Sequence, residues 1–550
     1  MENIDHLFIE QAEYLEDQDF NLWTLDHPSF SSYLTKLSGP GAKLIVGPRG
    51  SGKTTILLSA LSKINQLKNK HAVYINFKKS LSLEPFYRGN LNPSFFFNQW
   101  LLAKTLIAIL ESTDNKINDS KLKISRDLVN KLENGTSSIE PSEVLSYEDI
   151  FLACDNLLNA KDAERLIVLM DDAAHAFSSE QQRDFFDFFR SIKSKRLSPK
   201  AAIYPGVTVF SPAFQVGHDA ENIDIWIDPV SPEYISFLRN VLKKRLPDEI
   251  FKKFNENAGL IELIAYSSFG IPRNFLNLIR DICDNTSNKN ITSKNALDAI
   301  TKSCKRSDEL FISLKFKLSR YSNYVQTGRK FFENVIKEIK QYNKEKDLLK
   351  QSITLAIKIP IDDNLLRVIG FLEYSGLIFP FQSDVSRGEK GTFARFYISI
   401  SHLVESNAIV VSKGKKIDSF VQALKSRNAH EFTRVSHDTL LKGVDTSNGF
   451  QLALSPCAKC NTPRLNESSK FCHSCGAPLT EASMFYELID KDISNLPLTA
   501  HRVRKIKENS QLKTIKDILN DLDYQQLRSV PQIGDFWAKR IYGYAEEYIS

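Results

Sequence analysis

No apolar run in this 550-residue chain approaches the roughly 20 residues that a helix needs to cross a bilayer. The sequence therefore predicts no membrane span. The opening Met1-Glu2-Asn3-Ile4-Asp5-His6 has neither the basic nor the apolar region of a secretory leader, so a cytoplasmic protein is expected. Seven cysteines, an odd number without such a leader, argue against a disulfide framework. Cys154, Cys283 and Cys304 are scattered and read as buried or inert thiols. The chain shows no internal repeat, no long low-complexity tract, and no nuclease or protease motif. A strong charge of one sign is also lacking: a net +6 permits a nucleic-acid partner without demanding one. Apolar content of 42% and charged content of 25% are those of an ordinary globular protein. The length predicts several domains and at least one large core.

The most informative segment is Gly47-Pro48-Arg49-Gly50-Ser51-Gly52-Lys53-Thr54, a complete G-x-x-x-x-G-K-[ST] pattern. Lys43-Leu44-Ile45-Val46 leads in as a strand, and Thr55-Ile56-Leu57-Leu58 follows as a helix. The glycines let backbone N–H groups close around phosphate oxygens. The helix N-terminus adds positive potential. Lys53 is expected to reach the β- and γ-phosphates of ATP, and the Thr54 hydroxyl to ligate Mg²⁺. Residues 47 to 55 form the expected nucleotide-binding set.

Leu166-Ile167-Val168-Leu169-Met170 reads as a central parallel strand buried on both faces, ending in Asp171 and Asp172. Ligands of open α/β sheets collect at that end. Asp171 is expected to hold Mg²⁺ through water. Asp172 stands where a residue polarising the attacking water is expected, one methylene shorter than Glu. Further strands are expected at 72–77, 201–204 and 223–227, and helices at 95–111, 144–160 and 180–194. Strands alternating with helices predict an α/β fold with a parallel sheet. Residues 231 to 305 read as a helical lid. Within it, Gly270-Ile271-Pro272-Arg273 starts a helix and can set the Arg273 guanidinium over a γ-phosphate.

From about 10 to 310, Gly47–Thr54, Leu166–Asp172 and Gly270–Arg273 together resemble an AAA+ P-loop ATPase of the Orc/Cdc6-like branch. The resemblance implies a polar sensor near the end of the 201–204 strand, with Thr208 and Ser211 as candidates. Ring-forming AAA+ ATPases supply an arginine finger from the segment that follows, yet no Arg occurs between Arg196 and Arg239. Slow hydrolysis is therefore expected, with ATP acting as a switch.

Further along, residues 311–412 read as a winged helix or as a small helical and hairpin domain that packs on the ATPase. Its pattern is Leu365–Leu372, Leu377–Phe381, the tip Arg387–Gly391, then Phe393–Ile400. Residues 413–450 read as a basic linker, with Lys413, Lys415, Lys416, Lys425, Arg427 and Arg434 at its start. Within 451–480, Cys457-x-x-Cys460 and Cys472-x-x-Cys475 have zinc-ribbon spacing, and four thiolates close a structural Zn²⁺ site. Residues 481–550 resemble a helix-hairpin-helix module like the C-terminal domain of RNA polymerase α subunits. Its marks are Val530-Pro531-Gln532-Ile533-Gly534 and the helix from Phe536 to Ile541. That resemblance implies sequence-independent phosphate contacts at Gly534, Lys539 and Arg540. A helical protein-interaction module is the other reading of these residues.

The expected architecture is thus an N-terminal arm (1–37), ATPase core (38–230), lid (231–310), and the four C-terminal segments above. Three functions remain open: an ATP-dependent DNA-binding switch, a signalling ATPase recruiting a separate effector protein as in bacterial antiviral defence, and a nucleotide-binding scaffold that does not hydrolyse ATP. A homo-oligomer is compatible with each.

Overall fold

The structure is a computed structural model. It describes residues 12, 15 and 17–549 except 90–91, 114–119, 174–177, 258, 287–290, 382–383, 387, 410–431, 467–468 and 480–482. No helix among the described residues is long and apolar enough to cross a membrane.

Five parallel strands make the first sheet: β1 (Ala42–Val46), β2 (Lys70–Asn76), β3 (Arg165–Asp171), β4 (Leu197–Ile203) and β5 (Ala220–Asp224). Their spatial order is β2-β3-β4-β1-β5. The uninterrupted apolar run of β3 follows from this: Leu166 to Met170 are all fully buried, because helices cover both faces. Helices Phe30–Leu37 and Lys53–Ile64 pack on one face. Helices Pro93–Glu111, Tyr147–Ala160 and Ser179–Ser191 pack on the other, the last through Phe185, Phe186, Phe188 and Phe189. β4 begins four residues before its apolar run. Lys200 lies fully buried there because its ammonium donates to Gly39 O and Gly41 O at 2.8 and 2.6 Å.

The lid consists of helices Tyr234–Arg245, Asp248–Asn255, Leu260–Ser267, Pro272–Thr286 and Ser293–Lys317. Helix Ser322–Asn343 then leads into a second sheet of β6 (Thr354–Lys358), β7 (Ile378–Pro380), β8 (Val385–Ser386), β9 (Thr392–Ile398) and β10 (Thr433–Val435). β9 pairs antiparallel with β6, β7 and β8, while β10 adds parallel to β6. The segment read as a basic linker thus contributes a strand. Three residues, Thr433-Arg434-Val435, are too few to announce one by periodicity. Lys413, Lys415, Lys416, Lys425 and Arg427 lie outside the described residues.

Between β6 and β7 the chain forms one helix, Asp363–Tyr374, whose face is pressed onto the domain of the first sheet. Gly206, just past β4, meets Gly370 on that helix backbone to backbone: a Cβ on Gly370 would lie 2.5 Å from Gly206 Cα. Trp226 stacks on Phe379 with ring centroids 4.3 Å apart. The C-terminal module, helices Met484–Ile489, Ala500–Asn509, Ile515–Asn520, Gln525–Ser529 and Asp535–Ile549, has its own apolar core, which also takes in Leu81 of the first-sheet domain.

Candidate nucleotide site

Strand β1 delivers the Gly47–Thr54 loop to the C-terminal edge of the sheet, and helix Lys53–Ile64 starts at once. Gly52 caps that helix in the left-handed region at φ 94°, and Gly50 has φ 84°. Both conformations disfavour a side chain. At Gly50 space is the second constraint, since a Cβ would meet Arg273 Cβ at 2.9 Å. The lid docks on this loop directly: the Arg273 N–H donates to Gly50 O at 3.3 Å.

Lys53 is buried and turned back into the loop, donating to Gly47 O at 2.8 Å and Pro48 O at 3.0 Å. Its ammonium lies 3.8 Å from the centre of the Tyr204 ring. Burial lowers the Lys53 pKa to about 7, with Asp171 and Asp172 opposing that shift and Arg273 and Arg49 adding to it. Asp171, buried at the end of β3, accepts from the Tyr74 hydroxyl at 2.9 Å and from the Asp172 N–H at 3.0 Å. Asp172 sits at φ 50°, a strained backbone for a non-glycine residue, and accepts from the Tyr204 hydroxyl at 3.3 Å.

Arg49, Gly50, Ser51, Gly52, Lys53, Thr54, Thr55, Asp172 and Arg273 all line one cavity. Gly47 and Pro48 hold Lys53 from outside the lining, and Asp171, also off the lining, acts on the Lys53 ammonium. Thr54 and Asp171 are a hydroxyl and a carboxylate of the kind that suits Mg²⁺. The same cavity is lined by Trp23, His27, Phe30, Phe237 and Leu276, aromatic and apolar side chains that can take a flat base, with Asp26 and Arg245 among them. Burial lowers the His27 pKa to about 4, so the ring is neutral there; its Nδ1 accepts from the Ser29 N–H.

Neither sensor candidate lines the cavity. Thr208 donates to Tyr204 O at 2.7 Å, and Ser211 donates to Asp187 at 2.6 Å. Tyr204, the residue after β4, stands in the cavity instead. Two residues that hold Arg49 come from far along the chain, and one of them, Glu547, also lines the cavity. Tyr374 O accepts from the Arg49 N–H, and Glu547 pairs with both Arg49 and Arg273. The sequence signals for Tyr374 and Glu547 are absent, because an acid or tyrosine in an amphipathic helix looks like any other.

The four Sγ atoms of Cys457, Cys460, Cys472 and Cys475 lie within 4.8 Å of one another. Cys457 to Cys475 is 3.6 Å and Cys460 to Cys472 is 3.5 Å. Thiolates around tetrahedral zinc stand about 3.8 Å apart, so the cluster fits Zn²⁺. Burial raises the other three thiols, Cys154, Cys283 and Cys304, to about 12, as inert cysteines require.

In the C-terminal module Gly534 and Lys539 are exposed, and no atom lies within 4 Å of a Cβ built on Gly534. Arg540 is half-buried; it donates to the Tyr544 hydroxyl at 2.7 Å, with its guanidinium over the Trp537 ring at 5.1 Å. Gln532 adopts φ 71°, the left-handed backbone that a glycine would take without cost.

A family model described as ORC-CDC6-like matches residues 7–163, which hold the phosphate loop and stop short of β3. No curated protein matches the chain. Among solved structures, similarity is found to a Walker-type ATPase of Pyrococcus abyssi at 13% identity and TM-score 0.37, covering 72% of this chain and 99% of that one. The Aeropyrum pernix ORC1 protein in complex with DNA is 15% identical at TM-score 0.29, over 73% of this chain and 95% of that one. Cdc6p from Pyrobaculum aerophilum is 13% identical at TM-score 0.27, over 74% and 97%. The fold class here rests on the sheet itself: five parallel strands with the phosphate loop after β1 and the acidic pair after β3.

Proposed function

We propose that this protein is an ATP-binding, slowly hydrolysing AAA+ ATPase of the Orc/Cdc6-like kind that acts as a nucleotide-dependent DNA-binding switch. The observation that carries the reading is convergence. A phosphate loop, Asp172, a lid arginine and a set of aromatic and apolar side chains share one cavity, which Glu547 of the C-terminal helix also lines, and Asp171 acts on Lys53 from beside it. Backbone N–H groups of the loop and Lys53 would take the phosphates, and Arg273 the terminal one. Mg²⁺, held by Thr54 and through water by Asp171, would neutralise charge on the bridging phosphate oxygens. Asp172 would orient water. Its short side chain, and a 197–238 segment without arginine, favour slow turnover.

DNA contact is assigned to the exposed Gly534 hairpin and Lys539, with Arg540 beside them, and would be largely independent of sequence. A second reading, recruitment of an effector protein as in an antiviral defence complex, is favoured by Leu465 and Phe471. These apolar side chains are 70% and 65% exposed on the cysteine-rich segment.

Measured binding and turnover of ATP test the site. Wild-type protein is expected to bind ATP with turnover well below that of motor ATPases, and Lys53→Ala to lose binding. Tight ATP binding retained by Lys53→Ala contradicts the assignment.

A further inference from the structure

The C-terminal helix Asp535–Ile549 ends inside the nucleotide cavity, and one carboxylate of it touches both arginines that face the phosphate loop. Glu547 Oε1 lies 2.7 Å from Arg273 Nη1 and 3.0 Å from Arg49 Nη2. Arg49 belongs to the phosphate loop and Arg273 to the lid, so a single oxygen ties three parts of the chain together. Two guanidiniums converging on one anionic oxygen is also the arrangement expected around a terminal phosphate.

Resting on the nucleotide-site reading above, we propose that Glu547 occupies the place of the γ-phosphate in the nucleotide-free protein, and that ATP, unlike ADP, displaces it and releases the C-terminal module from the ATPase. The charge count supports competition. Arg49, Arg273, Arg245 and Lys78 line the cavity with Lys53, and Lys317 stands beside Arg49 and Glu547; burial lowers both Lys53 and Lys317 to about 7. Against them stand Asp26, Asp172 and Glu547 on the lining, with Asp171 acting on Lys53 from beside it. Burial acts to raise the Glu547 pKa, but Arg273, Arg49 and Lys78 outweigh it and hold the carboxyl well below the usual carboxylate range. It is therefore charged whenever a nucleotide arrives. A γ-phosphate brought beside a buried carboxylate repels it strongly at short range. A diphosphate ends one group short of Arg273 and leaves the pair in place.

The module meets this face at further points: Glu547 O accepts from Arg49, and helix Asp535–Ile549 packs along residues 78–83. Glu546 lies 3.9 Å from Lys78, and Ser483 donates to Glu84. The Leu81 side chain is the ATPase's member of the module core.

The test uses the full-length protein. Affinities for ATP, a non-hydrolysable ATP analogue and ADP are measured for wild type, Glu547→Gln, Glu547→Asp and Lys53→Ala, with amide hydrogen exchange of residues 483–549 in each state. Glu547→Gln is expected to tighten ATP and analogue binding on the order of tenfold, within the usual range of coupling between sites, and to leave ADP binding nearly unchanged. ATP is expected to accelerate exchange in 535–549 of wild type, whereas Glu547→Gln shows fast exchange without nucleotide and Glu547→Asp behaves closer to wild type. Unchanged or weakened ATP binding by Glu547→Gln, or exchange in 535–549 indifferent to ATP, overturns the proposal while leaving the nucleotide site standing. Wild-type ATP binding no tighter than that of Lys53→Ala removes the nucleotide site and this proposal with it.

Discussion

Lys53 has a structural role in the loop and, under the proposed function, would meet the phosphates as well. It satisfies its ammonium with Gly47 O and Pro48 O and with the Tyr204 ring, at the cost of burial that brings its pKa to about 7. Phosphates entering the loop would raise that pKa again, so ATP binding takes up a proton wherever Lys53 starts neutral. The sign follows. Affinity is full below the nucleotide-free pKa near 7 and falls as pH rises from there towards the nucleotide-bound value, by at most about tenfold per pH unit for one proton. Calorimetric titration at pH 6.5, 7.5 and 8.5 in buffers of different ionisation enthalpy should show this fall with net proton uptake. A pH-independent affinity without proton uptake contradicts it. Tyr204 and Glu547, by comparison, are residues whose role appears only when the fold is assembled.

At the scale of elements, what could be read from the sequence was what is local. The phosphate loop, the apolar strand ending in Asp171 and the Pro272 helix start are each encoded within a few neighbouring residues, as are the cysteine pairs. β4 was read short because Pro199 and Lys200 look unlike a strand until Gly39 and Gly41 supply acceptors. β10 escaped because its pairing partner β6 lies about 80 residues earlier and only three residues take part. Two elements give direct tests. Cys457→Ser is expected to lose bound zinc and to speed amide exchange across residues 455–480, since so short a segment has little core besides the metal; unchanged metal content contradicts the ribbon. Gly370→Ala forces a Cβ to within 2.5 Å of Gly206 Cα, and should cost about 1–3 kcal/mol in thermal unfolding. An unchanged melting temperature would mean that the helix Asp363–Tyr374 does not press on the first-sheet domain as described.

For the whole molecule, the nucleotide cavity is where the chain's parts meet. Arg49 reaches Tyr374, 325 positions away, and Glu547, 498 positions away. Contacts over such separations leave no periodic or motif signal, which is why the convergence was not legible in the sequence although most of its members were. Under the proposed function these contacts are what ATP would control. The central claim is that nucleotide state governs DNA binding by the C-terminal module. The measurement that tests it most directly is the affinity of full-length protein for duplex DNA with ATP and with ADP, across a salt series, beside Lys53→Ala. The account predicts binding that weakens steeply with salt and differs between ATP and ADP in wild type, with no such difference in Lys53→Ala. Binding that is absent in both states, or identical in both, would contradict it and turn the C-terminal module into a protein adaptor.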